Sequence, residues 1–337
     1  MIRIAVVGAG YWGPNLIRNF VSCRDARLVA VCDTDRQRLD TVLAPYPGVA
    51  GVEDVDALLA RPDIDAVAIA TPVRTHGRLG LQALRAGKHV LVEKPLAASV
   101  REGEELLCAA QAAGRVLMVD HTFVYSAPVR KMKEILDSGD LGDLYYVDSV
   151  RINLGLFQHD VNVVWDLAPH DLSIMDFLIG RLPRSLSAFG ACHADSRQEI
   201  EDVAYLNLDF GGGLLASFHV NWLSPVKIRL FAVGGSRKGL VYNDLVPGEK
   251  IKVYDRGITV SSDPDARRGV LVGYRTGDLW VPHIDDVEPL QQMVRHFIEC
   301  IRDNKKPQTD GEAGLRVVRI LEAAQRSIKA QGGRITL

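Results

Sequence analysis

The sequence predicts two domains of different class: an α/β doubly wound parallel sheet over residues 1–121, then an α+β domain over 122–337 built on an open-faced antiparallel sheet. Three observations predict it. Up to about residue 120, short apolar strands alternate with helical stretches at intervals of roughly 20 to 30 residues, the rhythm of a parallel sheet with crossover helices. A GxGxxG run stands between the first strand and the first helix. From Leu144 onward, strands follow one another with turn residues between them, as antiparallel sheets require.

Composition sets the outer limits. A length of 337 residues suits about two domains at roughly 150 residues each. Hydrophobic residues make up 47% and charged residues 24%, the balance of an ordinary globular chain. Forty Lys and Arg against 42 Asp and Glu leave a net charge of −2, which argues against a nucleic-acid partner. The five cysteines (Cys23, Cys32, Cys108, Cys192 and Cys300) are odd in number and never spaced CxxC. That disfavours a disulfide framework or structural zinc and fits a reducing cytoplasm. No apolar run approaches the ~18 residues of a membrane span, and Ile4–Val7 is too short for a signal segment. No internal repeat or low-complexity tract is present.

The first strand, Ile2–Val7, leads into Gly8-Ala9-Gly10-Tyr11-Trp12-Gly13, with Pro14 suited to the first turn of a helix. In this motif the first glycine permits a tight turn, the second admits a pyrophosphate to the backbone, and the third packs helix on strand. A second strand, Leu28–Cys32, ends at Asp33, twenty residues beyond Gly13. A carboxylate there can bind both ribose hydroxyls of NAD and would repel a 2′-phosphate. Arg36 and Arg38 lie close enough to accommodate such a phosphate, so NAD is the favoured cofactor and NADP the alternative.

The same rhythm then repeats. Val55–Leu59 reads as a short helix, and Ala66–Ala70 as a buried strand closed by Thr71-Pro72. Gly77–Ala86 is helical, with Gly87 as its stop. The stretch His89-Val90-Leu91-Val92-Glu93-Lys94-Pro95-Leu96 is a buried strand that ends at a charged pair and a proline. It delivers Lys94 to the carboxyl edge of the sheet, where ligands bind in open parallel folds. Thr71, Pro72, Thr75 and His76 belong to the same edge; His76 reads either as a helix cap or as a contact to the nicotinamide half or the substrate. A helix over Val100–Ala113, stopped by Gly114, and a strand over Val116–Val119 complete the first domain.

In the second domain Ala127–Ser138 has helical periodicity. Val203–Phe210 and Leu214–Trp222 alternate around Gly211-Gly212-Gly213 as a hairpin. Val226–Val233, Gly239–Tyr242 and Lys250–Tyr254 are further strands. Gly257–Asp286, rich in Gly, Asp and Arg, reads as a long loop or arm in which Trp280-Val281-Pro282 packs over the site or onto a neighbouring subunit. Two helices close the chain, Glu288–Arg302 and Glu312–Lys329, with apolar faces at Leu290, Met293, Val294, Phe297 and at Val317, Ile320, Leu321. They are expected against the domain interface.

The second chemical motif is Trp165-Asp166-Leu167-Ala168-Pro169-His170-Asp171-Leu172. Pro169 favours the first turn of a helix, with Asp166 as its cap. At i and i+4 on a helical turn, Asp166 and His170 share a face. A carboxylate beside an imidazole raises its proton affinity and fixes its orientation, which suits acid–base work near neutral pH. No third ligand has metal spacing, so no metal site is expected. Tyr125, Asn153, His159 and Asn162 are polar residues near the domain junction suited to sugar hydroxyls.

Taken together, these residues resemble the glucose–fructose oxidoreductase/inositol dehydrogenase family, Gfo/Idh/MocA. The resemblance rests on GAGYWG at Gly8–Gly13, Asp33, the Thr71-Pro72 to His76 loop, Glu93-Lys94-Pro95, and the Asp-x-x-x-His of Asp166 and His170, in that order along the chain. It implies an N-terminal Rossmann domain, an open antiparallel sheet behind it and a substrate between the two. It makes Lys94, Asp166 and His170 the catalytic residues. The cofactor set becomes Gly8, Gly10, Tyr11, Trp12, Gly13, Asp33, Thr71, Pro72, His76, Glu93 and Lys94. One departure is Ala168-Pro169 ahead of the histidine, where the family often has glycine, which implies a bulkier or stiffer pocket rim. With Tyr274-Arg275-Thr276-Gly277-Asp278 and Thr309-Asp310-Gly311, the chain looks closest to bacterial sugar 3-dehydrogenases acting on nucleotide sugars or aminoglycoside intermediates. A cyclitol dehydrogenase is the runner-up; a non-catalytic NAD-binding regulator and an NAD-dependent glycosidase rank below it. A homodimer or homotetramer covering the open sheet is expected.

Overall fold

The computed structural model describes residues 1–155, 157, 161–194, 200–260 and 272–337. By internal packing the chain divides into two units, Met1–Ser126 with Val287–Glu322, and Ala127–Asp286 with Ala323–Leu337.

The first unit is organised around six parallel strands: β1 (Ile2–Val7), β2 (Ala26–Cys32), β3 (Ala50–Val52), β4 (Ala66–Ile69), β5 (His89–Glu93) and β6 (Leu117–Asp120). Their order is β3-β2-β1-β4-β5-β6, the arrangement of dinucleotide-binding folds, in which the order reverses beside β1 and opens a crevice at the carboxyl ends. The run Val90–Val92 is wholly buried, as a β-branched strand covered on both faces must be. The intervening helices are α1 (Gly13–Ser22), α2 (Arg36–Leu43), α3 (Val55–Leu59), α4 (His76–Arg85) and α5 (Val100–Ala113). Helix α5 is held at its start by the Ser99 hydroxyl, which accepts the Glu102 N–H, and is ended by Gly114 in the left-handed region.

Two later stretches complete this unit. The α8 helix (Pro289–Asp303) packs on α1, and Arg18 pairs with Glu288 at 2.5 Å. Thr309 covers the edge of β6, accepting the Val119 N–H at 2.8 Å and donating its hydroxyl to the Val119 carbonyl at 2.7 Å. Then α9 (Gly311–Lys329) begins; its residues through Glu322 belong to this unit. Leu290, Met293, Val294, Phe297, Val317, Ile320 and Leu321 are all buried.

Among its described residues the second unit contains α6 (Ala127–Asp137), α7 (Val163–Ile179) and nine strands: β7 (Leu144–Leu154), β8 (Ser185–Ala191), β9 (Val203–Gly211), β10 (Leu214–Asn221), β11 (Leu223–Gly235), β12 (Gly239–Asn243), β13 (Ile251–Val260), β14 (Val272–Trp280) and β15 (Ile335–Thr336). They form one sheet in the order β14-β13-β12-β11-β7-β10-β9-β8-β15. Helix α7 packs on β7, β9 and β10, over an apolar face that includes Leu206, Leu208, Phe210, Phe218 and Val220. The opposite face carries Tyr146, Phe189, Tyr205 and Leu215, each about half exposed. The sheet is therefore open on one side.

Two details differ from expectation. The sheet is antiparallel except where β7 and β10 pair in parallel, Tyr146 beside Leu215, because α7 and two strands intervene between them along the chain. Second, of the stretch read as a loop over Gly257–Asp286, residues 257–260 continue β13 and Val272–Trp280 form β14, with Ile258 opposite Tyr274 and Val253 opposite Trp280, while residues 261–271 lie outside the described residues. The side chains of β14 are exposed on both faces, the successive Leu279 and Trp280 at 51% and 49%, so no inward–outward alternation marks it as a strand.

Candidate functional site

In the first unit the site begins at the glycine-rich turn. Gly8 has φ +98°, and a Cβ on it would lie 2.6 Å from the Ala70 carbonyl oxygen, so only glycine fits beside β4. A Cβ on Gly13 would meet the Gly8 carbonyl oxygen at 2.2 Å, which keeps helix and turn in close contact. Around Gly10 there is open space. The turn ends at Trp12, which occupies the N-cap of α1 with a side chain that caps nothing, and no acid lies in the first helical turn. A favourable helix dipole with no acid beside it and a bare glycine fit a pyrophosphate.

Asp33 closes the other side of that turn. Its carboxylate accepts the Ala9 N–H at 2.8 Å and the Asp35 N–H at 3.0 Å, and Arg38 pairs with it at 3.2 Å. Burial pulls its proton affinity up, but these donors outweigh burial and hold Asp33 below the ordinary carboxylate value. A charged acceptor stands where ribose hydroxyls would bind. The residues of the turn, helix terminus and Asp33 thus fit NAD.

Farther along the same edge the loops after β4 and β5 are tied together. His76 is buried, with Nδ1 2.8 Å from the Pro95 carbonyl and Nε2 2.7 Å from the Thr71 carbonyl. Burial lowers its proton affinity; the two carbonyls oppose this and the Lys94 charge adds to it. The imidazole thus braces two loops rather than standing open to a ligand. Thr71 and Thr75 share a hydrogen bond at 2.6 Å, and the Thr75 hydroxyl donates to the Pro72 carbonyl. At the end of β5 the Glu93 carboxylate accepts the Lys94 N–H, and the Lys94–Pro95 bond is cis. Lys94 is half-buried. Its charge is felt at His76, Asp120 and His121.

The end of β6 adds Asp120, His121 and Thr122, which sequence reasoning passed over. Asp120, 2% exposed and opposite Glu93 in register, accepts the Trp12 indole N–H at 2.9 Å and the Thr122 hydroxyl. Burial drives its proton affinity up, against the pull of Thr122, Trp12 and Lys94. His121 is buried, with no hydrogen-bond partner among the described residues for either ring nitrogen. Burial, then the Lys94 charge, push it down to about 3. Tyr125, expected at the substrate, is 1% exposed; its hydroxyl lies 3.2 Å from that of Thr309 and its ring 5.5 Å from His296.

In the second unit α7 starts three residues before Asp166. Asn162 is its N-cap, accepting the Trp165 N–H at 3.1 Å through Oδ1. The Asn162 amide nitrogen donates to Glu201 at 2.6 Å and to Gln325 at 2.5 Å. Asp166 is therefore not the cap, and Pro169 lies inside the helix, where its missing N–H costs one backbone hydrogen bond. An Asn ahead of an apolar helical run is itself a start signal; the proline drew the expected start too late. Asp166 and His170 are one turn apart on α7, hence on one face. The Trp222 indole N–H donates to Asp166 at 3.1 Å, and Trp222 is fully buried with Phe157 against its ring at 5.4 Å. Asn153 is half-buried near the end of β7. His159 lies outside the described residues.

Beside His170, Asp171 forms a two-point ion pair with Arg151 of β7, both bonds 2.8 Å. Burial would pull Arg151 down, but the Asp171 charge outweighs it and keeps the guanidinium protonated. No group of His, Cys, Asp and Glu among the described residues could hold a metal ion. No described helix is long and apolar enough to cross a membrane.

Fold and turn together define an NAD-binding oxidoreductase. Residues 2–121 match the model described as the oxidoreductase family, NAD-binding Rossmann fold, and residues 129–241 match the GFO/IDH/MocA C-terminal domain. A solved protein of Magnetospirillum magnetotacticum MS-1, itself named only by class as an oxidoreductase, is 31% identical with TM-score 0.81, covering 96% of this chain and 99% of its own. A 1-carboxy-3-chloro-3,4-dihydroxycyclohexa-1,5-diene dehydrogenase of Comamonas testosteroni is 33% identical over 221 residues, 62% of this chain and 56% of that protein. The D-apiose dehydrogenase of Paraburkholderia graminis is 25% identical over 333 residues, 96% of this chain and 87% of that one. The chain belongs to the Gfo/Idh/MocA family. It is an NAD(P)-dependent dehydrogenase.

Proposed function

We propose that this dehydrogenase oxidises a secondary ring hydroxyl, at C3 of a nucleotide sugar or an aminoglycoside intermediate, to the ketone, or reduces the ketone in reverse. The observation that carries the reading is Lys94 at the carboxyl end of β5, on the same edge as the glycine-rich turn and Asp33. When bound, NAD supplies the hydride acceptor. Gly8, Gly10, Gly13 and the start of α1 bind its pyrophosphate, and Asp33 its ribose. Lys94 donates a hydrogen bond to the substrate oxygen and stabilises the alkoxide as it forms. His170, oriented by Asp166, accepts the hydroxyl proton; Trp222 fixes the Asp166 carboxylate through the indole N–H. Asn153 and His159 are proposed as hydroxyl contacts. Full-length likeness to a sugar dehydrogenase supports a sugar substrate.

A second reading, a cyclitol substrate, is favoured by the carbocyclic diol in the name of the Comamonas relative. The two separate in one assay: absorbance at 340 nm with NAD, then NADP, across nucleotide sugars, aminoglycosides and inositols. NADH formed with a nucleotide sugar or aminoglycoside is expected. Formation with inositols alone would overturn the first reading, and silence in both directions, keto-sugars included, would overturn both.

The exposed face of the sheet carries two apolar pairs, Phe189 beside Tyr205 and Leu215 beside Tyr146, with Ser187, Asn207 and Ser217 between them, and self-association through this face, as a dimer or tetramer, belongs to the same proposal. Light scattering on the wild type and Leu215→Glu tests it: a multimer that the charge converts to smaller species is expected.

A further inference from the structure

We infer that Asp120 is a positioning residue for the cofactor, holding Trp12 and with it the glycine-rich turn against the far end of the parallel sheet. The inference rests on the reading that this turn receives NAD. In the sheet, β1 and β6 are separated by β4 and β5, a span of about 14 Å at ~4.8 Å per strand. The bond from the Trp12 indole to Asp120 joins the turn after β1 to the end of β6, residues 108 apart in the chain, at 2.9 Å. That tie passes the carboxyl ends of β4 and β5, from which the Thr71-Pro72 loop and Lys94 leave the sheet.

The position of Trp12 gives the tie its consequence. Trp12 is the N-cap residue of α1, yet its side chain accepts nothing from the helix. A capping side chain there would find little to accept, because Pro14 has no N–H and the Asn15 N–H already goes to the Trp12 carbonyl at 3.0 Å; the indole is held elsewhere instead. The turn is then fixed from outside by the bond to Asp120. A carboxylate kept 2% exposed is expensive unless it is bonded. Its side-chain partners are the Trp12 indole on Oδ2, inside the motif itself, and the Thr122 hydroxyl on Oδ1, with the Thr122 backbone N–H as a further donor. Sheet pairing needs neither side-chain bond.

The test is NADH binding followed by its fluorescence, which requires no sugar substrate, in the wild type, Trp12→Phe, Asp120→Leu, the double variant and Asp120→Asn. Losing one such bond should weaken NADH about tenfold in either single variant. The double variant should be no worse than about tenfold, because one bond is removed twice. Asp120→Asn keeps an oxygen that accepts the indole N–H and should stay within about twofold. Unchanged affinity in Trp12→Phe, or losses that multiply to about a hundredfold in the double variant, would overturn the inference. If Asp120→Leu fails to fold, Trp12→Phe and Asp120→Asn decide it alone. A wild type that binds no NADH overturns the cofactor reading itself, a result distinct from wild-type binding that the substitutions leave untouched.

Discussion

Lys94 is the residue on which the proposed chemistry turns. Its backbone N–H is fixed by Glu93, and it is half-buried at the end of a strand whose three central residues are wholly buried. Lys94→Ala should lower kcat by about 10²–10⁴, the usual worth of positioned acid–base help, while the NADH dissociation constant stays within about twofold. Steady-state rates beside a fluorescence titration check this, and an unchanged kcat would remove Lys94 from the mechanism. Arg151 makes a different point. Its pair with Asp171 is buried on both sides, side chains 4% and 7% exposed. Arg151→Met strands one carboxylate and should cost about 3–5 kcal/mol, read from urea unfolding. A loss below about 1 kcal/mol would mean Asp171 finds another partner.

At the scale of elements, the site residues of the first unit cluster at strand ends and in the loops that follow them, and Asp166 and His170 lie in the first half of α7. The β1–turn–α1 unit depends on Gly8, whose φ of +98° and contact with Ala70 exclude a side chain. Gly8→Ala should destabilise the fold by about 1–3 kcal/mol and weaken NADH along with it, measured by thermal melting and by titration. Normal stability in this variant would show that the turn rearranges at little expense. The α7 element was legible in its apolar run but not in its start, because proline is tolerated inside a helix when tertiary packing holds the turn. Strand β14 was missed for the opposite reason: it is exposed on both sides, and an unpatterned strand is indistinguishable from loop in sequence.

Across the whole molecule, three histidines, His76 and His121 buried and His89 half-buried, link stability to pH. Burial pushes His121 down to about 3 and His89 to about 4, and His76 is lowered as well. In the unfolded chain each titrates near 6.5. Below about pH 6.5 the unfolded state therefore binds protons that the fold refuses, and stability is lost as pH falls toward the folded values. The loss is about 1.4 kcal/mol per pH unit for each histidine. His89 Nδ1 accepts the Val116 N–H, which requires an unprotonated nitrogen. In His89→Gln, urea unfolding between about pH 6 and 4.5 should lose one histidine's share of this slope. An unchanged slope would mean that His89 titrates alike in both states.

What the sequence determined by itself was whatever depends on neighbours along the chain: the period of each element, its turn glycines, the GxGxxG turn with Asp33 after β2, and the i, i+4 placement of Asp166 and His170 on one helical face. Backbone sterics and side-chain period act over a few residues, so they are written locally. Tertiary structure alone decided the bonds that orient those groups: Trp12 to Asp120 across 108 residues, Trp222 to Asp166 across 56, and Arg151 to Asp171 across 20. It also turned His76 from a ligand candidate into a brace between two loops. Hydrogen bonds of that kind are set by which strand ends the sheet order brings side by side, and no local pattern records that order.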